Sequence, residues 1–306
     1  MGAGTMLVDI LHPVFELMAP WMPGEVFPFL FTLSYGWRVL TAGVFIALVA
    51  AWIGNFLIVR NFSLLGEGLA HVSFAAVAAG IALGMTTPLW LALILSVVAA
   101  IGIRLIEERG GLSGDAAIAV LLCSTLAIGL LILQLNDEVI SSDVEGYLFG
   151  SVLLISNASL DLIVMNSTIA MVSLAILHRP LLAITVDPVT ARVQGIPVRW
   201  IGTWFSIIIA AVVVSLVQVT GALLISALLV TPAATGQMTA RSFRGSIIAS
   251  QAWGMSAIYV GLFVSAEFDT GSGAAIAIIA LIQFIAVGIG KMAWSRYNRT
   301  EPNSDV

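Results

Sequence analysis

Long runs of apolar residues, separated by short polar segments, fill most of the sequence. A run of about 17–25 apolar residues is long enough to cross a bilayer as a helix. Nine runs meet this length: 37–59, 64–84, 88–106, 115–135, 160–177, 200–219, 221–238, 246–266 and 273–294. The second run starts in a polar stretch. The sixth and seventh are joined by almost nothing, as expected if one of them is broken. The pattern predicts an all-α polytopic membrane protein with eight to nine transmembrane helices.

Composition points to the same class. Hydrophobic residues make up 60% of the chain and charged residues 9%, whereas about a quarter of a soluble domain is charged. Cys123 is the single cysteine and lies in an apolar run, so no internal disulfide is possible. The first residues lack the basic start and cleavage site of a signal peptide. We therefore expect one membrane domain and no soluble domain.

Basic residues predict the orientation, because they favour the cytoplasmic side of a membrane. With nine spans, Arg38 alone falls on one side, and the other side receives Arg60, Arg104, Arg109, Arg179, Arg192, Arg199, Arg241, Arg244, Lys291, Arg296 and Arg299. We expect a cytoplasmic-membrane protein with its N-terminus outside and its C-terminus in the cytoplasm. The external loops then carry carboxylates that either attract cations or are ordinary solvated groups: Asp137, Glu138, Asp143, Glu145, Glu267 and Asp269.

The chain divides into three segments on this basis. Residues 1–36 carry aromatic side chains suited to the membrane interface. Pro20, Pro23 and Pro28 argue against one continuous helix there. We expect residues 1–36 to be an extracytoplasmic interfacial segment, residues 37–295 to be the membrane domain and residues 296–306 to be a cytoplasmic tail.

The chain lacks the motif that an ATP-driven motor needs. Lys291, the only lysine, does not stand in a G-x-x-x-x-G-K-[ST] phosphate-binding loop. We therefore expect a transport subunit rather than an enzyme, with any ATP hydrolysis carried out by a separate chain. The three histidines are too scattered for a zinc site made by sequence neighbours. His12, on the outer side, and His178, expected at a cytoplasmic helix end, are interpreted as structural or solvated.

Glu67 and His71 stand out inside the second apolar run. In a helix, their spacing of four residues places both side chains on one face. Ionisable groups at membrane depth are unfavourable and usually mark a substrate or ion path. In the alternative reading, Glu67 pairs with Arg60 or caps a helix, and His71 is hydrogen-bonded within the bundle. Other intramembrane amides more commonly form interhelical hydrogen bonds: Asn55, Gln134, Gln218, Gln251 and Gln283.

Residues 178–199 contain signals for a short cytoplasmic helix. Pro180 predicts the end of the fifth span. Asp187-Pro188 is a helix-start signal and Gly195 a C-terminal glycine, so a helix is expected over 189–194. From these residues alone, docking on a separate motor protein and an ordinary ordered loop are equally supported.

Four stretches together resemble the permease family of metal-ion ABC importers, which take up manganese, zinc or iron(II). They are RNFSLLGEGLAHVSFAAVAAGIALG (60–84), GYLFGSVLLIS (146–156), VDPVTARVQGIPV (186–198) and GALLISALLVTPAATG (221–236), and they occur in family order. Each stretch alone is a weak signal, but together they are specific. Residues 1–36 lie outside the usual pattern.

The resemblance implies a type II ABC importer-like permease that acts as a dimer with a second copy or a paralogue. It implies cytoplasmic ATP-binding subunits, an extracytoplasmic metal-binding protein and surrounding membrane lipid, with no nucleic acid and no permanently bound cofactor. His71 matches the family histidine, and Glu67 stands where the family usually has Asp. Both are implied to contact the transported metal. Asp187, Ala191 and Gly195 match the segment that couples to the ATPase.

We therefore expect an importer permease for a divalent transition metal, with manganese favoured and zinc or iron as alternatives. Thr231-Pro232 is expected to bend the seventh span. One competing hypothesis is a self-contained secondary cation transporter that uses Glu67 for proton coupling. Such carriers commonly contain inverted repeats, and none is evident here. A milder alternative is a permease for metal chelates or vitamins, whose wider path needs no Glu/His pair.

Overall fold

The computed structural model describes residues 2–109, 114–135, 146–148, 150 and 155–300, and every regular element in these ranges is helical. The long helices are α2 (Ser34–Val59), α3 (Leu65–Ala82), α4 (Leu89–Arg109), α5 (Gly114–Gln134), α6 (Asn157–Val186), α8 (Val198–Thr220), α11 (Phe243–Phe268) and α12 (Ser272–Thr300). The short helices are α1 (Ala3–Met18), α7 (Pro188–Val193), α9 (Ile225–Leu229) and α10 (Thr231–Thr239). Within the described ranges, nine helices are long and apolar enough to cross a membrane, if Ala222–Thr239 is counted as one. This confirms the predicted class, with nine spans rather than eight.

The most buried spans are α2, α3 and α8, whereas α4, α5 and α12 lie at the periphery. Helix α2 packs against α6, α10 and α11, and α3 packs against α4, α5 and α8. Phe56, Phe74 and Phe205 contribute one large, fully buried side chain from each of the three central helices. The helix that carries Glu67 and His71 is therefore surrounded mainly by protein.

The seventh span is broken, as its sequence suggested. Gly221, with φ of 78°, ends α8, and a 3₁₀ turn at Ala222–Leu224 precedes α9. The chain breaks again at Val230, before α10 begins at Thr231. Pro232 stands in the first turn of α10, where its missing N–H leaves no helical bond unmade. Irregular backbone at membrane depth is tolerated where protein or a cavity surrounds it.

The expected end of the fifth span at Pro180 is wrong. Helix α6 passes through Pro180 and continues to Val186. Leu181 and Ile184 are buried just beyond the proline, so their packing outweighs the one hydrogen bond that proline removes. His178 consequently lies inside a helix rather than at its end.

His178 packs among aromatic rings instead of being solvated. Its ring centroid lies 6.4 Å from that of Trp52 and 6.2 Å from those of Phe56 and Phe243. His12, on α1, stacks edge-on against Trp37 at 4.2 Å and pairs with Glu16 at 3.0 Å. The His12–Trp37 contact joins α1 to α2, and the ring contacts of His178 join α6 to α2 and α11. Packing therefore accounts for both rings, although His178 Nδ1 is buried without a hydrogen-bond partner among the described residues.

The N-terminal segment forms α1 followed by 3₁₀ turns at Ala19–Trp21 and Phe27–Phe31. One continuous helix is absent from residues 2–36, as the prolines predicted. Asp161 of α6 accepts hydrogen bonds from the backbone N–H groups of Gly4 and Thr5, at 2.8 and 3.0 Å. Its carboxylate thereby caps the start of α1.

A second carboxylate holds the end of the same segment. Glu267 of α11 accepts hydrogen bonds from the backbone N–H groups of Glu25, Val26 and Phe27, at 3.1, 2.8 and 2.8 Å. The segment is thus bonded to two separate spans. Its extracytoplasmic position remains a prediction.

Several sequence predictions concern residues outside the described ranges. The carboxylates Asp137, Glu138, Asp143 and Glu145 fall there, as do parts of the 146–156 stretch and residues 301–306. Helix α12 continues to Thr300, so residues 296–300 extend the last span as helix.

Asp161→Ala tests the docking of α1. Losing a helix-capping carboxylate costs about 1 kcal/mol, so the amides of α1 should exchange with deuterium about fivefold faster. Hydrogen–deuterium exchange of a peptide covering α1 measures this. Asp9→Ala, at an exposed aspartate of the same helix, is the matched control. Equal exchange in both variants would show that Asp161 does not hold the helix.

Candidate functional site

Glycines allow α3 to pack closely on both sides of Glu67. A Cβ atom on Gly66 would lie 2.5 Å from Leu229 Cδ2, and one on Gly68 would lie 3.0 Å from Ile118 Cγ2. The first distance is far below van der Waals contact. The start of α3 is therefore held against α9 on one side and α5 on the other.

Glu67 lies in the first turn of α3 and lines a cleft of about 490 Å³. Ser63, Ser226 and Thr231 provide the cleft's hydroxyl groups, and α12 provides an apolar wall. The cleft thus opens between α3, the broken seventh span and α12. A carboxylate in the first turn of a helix is stabilised by the positive end of the helix dipole.

His71 lies one turn further along α3 and is 2% exposed. Its Nδ1 atom is buried and has no hydrogen-bond partner within the described part of the chain. Leaving a buried polar atom unpaired costs about 1–3 kcal/mol. The alternative predicted that His71 is hydrogen-bonded within the bundle. At Nδ1, no such hydrogen bond is present among the described residues.

The alternative in which Glu67 pairs with Arg60 is not observed among the described side chains. The Arg60 guanidinium lies 5.5 Å from the centroid of the Phe62 ring. Among the described side chains, the ion pairs are His12–Glu16 and Arg104–Glu107. Glu67 and Arg60 form no such pair there, so the carboxylate is available to a cation in the cleft.

The pair by itself is not a complete metal site. No group of three or more His, Cys, Asp or Glu side chains that could hold a metal occurs within the ranges that the structure describes. One chain therefore brings a carboxylate and an imidazole, and further ligands must come from water, backbone or a second chain.

The intramembrane amides mostly serve packing. Asn55 Nδ2 donates to Ser250 Oγ at 2.9 Å, and Ser246 Oγ donates to Asn55 Oδ1 at 2.5 Å. Gln251 Nε2 donates to the Leu48 carbonyl at 3.1 Å. These bonds join α2 to α11, which confirms the interhelical interpretation for both residues.

The remaining amides behave differently from one another. Gln283 Nε2 donates to Ser256 Oγ at 3.1 Å and joins α12 to α11. Gln134 is exposed at the end of α5. Gln218 is 1% exposed, and neither of its amide atoms has a partner among the described residues. By the criterion applied to His71, Gln218 remains a candidate path residue.

Sequence reasoning missed the three hydroxyl residues of the cleft and the serine partners of Asn55. Serine and threonine are common in transmembrane helices, so their presence in an apolar run carries no distinct signal. Only the break in the seventh span brings Ser226 and Thr231 opposite Glu67.

The short helix predicted over 189–194 is formed, over Pro188–Val193. Asp187 is the N-cap of α7, and its Oδ1 accepts hydrogen bonds from the N–H groups of Val189 and Thr190 at 2.9 and 3.1 Å. Gly195 has φ of 80°, which favours glycine. Ala191 is buried. These positions fix the shape of the segment.

The outer face of α7 is apolar. Val189 is 71% exposed and Val193 is 84% exposed, and their spacing of four residues places them on one face. The sequence alone did not single them out. An exposed apolar face on a rigid helix is typical of a protein contact.

Comparison with known proteins places the chain among transport permeases. The family model for the ABC 3 transport family matches residues 33–291. Manganese transport system membrane protein MntC of Listeria innocua is 28% identical over 254 residues, 82% of this chain and 90% of that protein. Manganese import system permease protein ScaB of Streptococcus gordonii is 28% identical over 248 residues, 81% of this chain and 88% of that protein. The structure of PsaBC from Streptococcus pneumoniae in complex with Fab matches with a TM-score of 0.74 and 27% identity, covering 83% and 91% of the two chains.

Protonation of Asp187 should loosen α7. Hydrogen bonds from the Thr190 side chain, then from the Thr190 and Val189 backbones, lower the pKa of Asp187 below its ordinary value of 3.8. Because the folded-state pKa is depressed, the cap stabilises α7 above the unfolded value and is lost as pH falls below about 4.

A spin label on Val193→Cys, in a Cys123→Ser background, reports this change. Its mobility should rise as pH falls below about 4. Asp187→Asn keeps a capping oxygen that does not titrate, so it should remove the pH dependence. An unchanged titration in Asp187→Asn would show that another group controls α7.

Proposed function

The chain belongs to the ABC 3 transport family, and from this premise we propose that it is the permease subunit of an ATP-driven importer. Its substrate is a divalent transition-metal ion, with manganese favoured and zinc or iron(II) as alternatives. The chain is a transport subunit and holds no permanent cofactor; the metal is cargo. The observation that carries the proposal is the Glu67–His71 pair on the central helix α3.

The chemistry of the pair suits such an ion. Carboxylate oxygen and imidazole nitrogen together bind manganese, iron and zinc. Two chains related by a dimer axis would supply four ligands and replace part of the ion's hydration shell. Conduction requires a site weak enough to release its ion. A sparse site of this kind meets that need, and a wide path for chelates does not require it.

Manganese is favoured over zinc for two reasons. The relatives MntC and ScaB carry manganese in their names. The described residues that line the Glu67 cleft provide hydroxyl groups but no histidine and no cysteine, and His71, one turn further along α3, is the nitrogen donor of the proposed pair. Zinc sites in proteins are commonly rich in nitrogen and sulfur ligands, whereas oxygen ligands suit manganese.

Two features indicate the partners: the missing phosphate-binding loop and the exposed helix α7. It contains no phosphate-binding loop, so ATP-binding subunits must drive it. We assign Asp187, Ala191 and Gly195 to the segment, 186–198, that couples to them, since they form a capped helix with an exposed apolar face. An extracytoplasmic metal-binding protein would deliver the ion.

The proposed arrangement places the N-terminus outside and the C-terminus in the cytoplasm of the cytoplasmic membrane. If each of the nine candidate spans among the described residues crosses the membrane once, the two ends lie on opposite sides. The excess of basic residues on the side of Arg60 and Arg192 then selects the orientation. Residues 1–36 form the extracytoplasmic segment, 37–295 the membrane domain and 296–306 the tail.

Reconstitution distinguishes this function from a secondary transporter. If Glu67 couples the cation to protons, the purified chain alone transports manganese in proteoliposomes under a pH gradient. As a permease subunit, the chain alone is inactive and becomes active only with its ATP-binding subunits and ATP. Uptake by the isolated chain would refute the proposal.

Glu67→Ala and His71→Ala should each lower manganese uptake by at least about tenfold, since even outer-shell changes at metal sites cost 10–100-fold. Cellular metal content at equal protein level is the measurement. His12→Ala and Glu16→Ala are matched controls, because they form a Glu/His pair of the same spacing on α1. Glu67→Asp should retain uptake and Glu67→Gln should not. Equal uptake in the site variants and the controls would refute the path assignment.

A further inference from the structure

A second cavity lies at the ends of the spans, beside the coupling helix α7. Its volume is about 420 Å³, and the ends of α2, α4 and α6, the helix α7 and the start of α8 enclose it. Arg60, Arg104 and Arg192 line it together with one carboxylate, Glu107. The cavity is separate from the Glu67 cleft, which opens toward α12.

Among the described side chains, the wall carries three guanidinium groups and one carboxylate. Arg104 Nη1 lies 3.7 Å from Glu107 Oε2. Within the described residues, no carboxylate lies within ion-pairing distance of Arg60 or Arg192. Burial and then the charge of Arg104 lower the pKa of Arg60, while Glu107 raises it. An added anion would therefore find a favourable potential here.

Two of the three guanidinium groups, those of Arg60 and Arg104, are packed against neighbouring groups. Gly202 of α8 provides the room for Arg104, since a Cβ atom there would lie 2.1 Å from Arg104 Nη2. Arg60 lies against the Phe62 ring. Arg192 reaches the cavity from α7. The three cations thus come from three different helices, with two of them fixed before any ligand arrives.

The rest of the lining is amphipathic. Val59, Ile184 and Val198 supply apolar surface, and Thr185 supplies a hydroxyl group. These residues stand at the last or first turns of their spans, where hydrocarbon meets water. Lipid phosphates lie at this depth, and arginine pairs with phosphate through two parallel hydrogen bonds.

We propose that this cavity binds a phosphate group, carried by an anionic phospholipid headgroup or present as free phosphate, and that the bound anion ties α7 to the ends of α2 and α4. The location of the cavity on the cytoplasmic side of the membrane follows from the orientation proposed above. The binding itself does not depend on which metal is transported. A carboxylate of the ATP-binding subunit is the competing occupant.

The test uses the purified full-length chain in detergent. Native mass spectrometry measures binding of phosphatidylglycerol and of phosphatidylcholine, and a parallel thermal-unfolding series compares inorganic phosphate with chloride at equal ionic strength. Arg60→Gln and Arg192→Gln should each weaken phosphatidylglycerol binding roughly fivefold. Arg241→Gln removes the same charge from an exposed site outside the cavity and should not. Arg192 is exposed, so its variant remains informative if Arg60→Gln fails to fold.

The outcomes separate the sources. Selective weakening of phosphatidylglycerol binding, without an effect of inorganic phosphate, supports the lipid. Stabilisation by inorganic phosphate that Arg192→Gln removes supports free phosphate. Equal behaviour of all three variants overturns the proposal and leaves the arginines as ordinary residues of the cytoplasmic side. So does a result in which Arg192→Gln weakens only the association with the ATP-binding subunit.

Discussion

The structure depends on one constraint: a polar group within the hydrocarbon layer must find its partner inside the protein. Asn55 meets it through Ser246 and Ser250, and Gln283 meets it through Ser256. Glu67 and His71 do not, since the carboxylate lines an open cleft and His71 Nδ1 is unpartnered within the described chain. These two groups, one turn apart on the central helix and without partners among the described residues, are the proposed place where the ion binds.

The same arrangement offers a mechanical route between the proposed site and the proposed motor. Helix α7 is rigid through its Asp187 cap and joins α6 to α8, and α8 packs on α3. The cleft that Glu67 lines is bounded by the break between α9 and α10. A displacement of α7 can therefore reach α3 through packed helices, and the broken span forms the opposite wall of the cleft.

Sequence reasoning predicted the spans, an interruption in the seventh span near Thr231-Pro232 and the capped α7, because each rests on local chemistry: apolar length, the exclusion of proline from helix interiors and a capping oxygen. It failed at Pro180, where the burial of Leu181 and Ile184 outweighs a local preference. It also missed every feature made by distant residues. Asp161 accepts a hydrogen bond from Gly4 of α1, which lies 157 positions earlier in the sequence. No local pattern predicts such a contact.

We propose that Glu67 and His71 contact the transported ion. Electron spin-echo modulation of Mn²⁺ bound to the purified permease detects nitrogen ligands directly. We expect a ¹⁴N coupling that disappears in His71→Ala, persists in His12→Ala, and belongs to a site that Glu67→Ala weakens. Bound Mn²⁺ without a nitrogen coupling, or with one that survives His71→Ala, would contradict it.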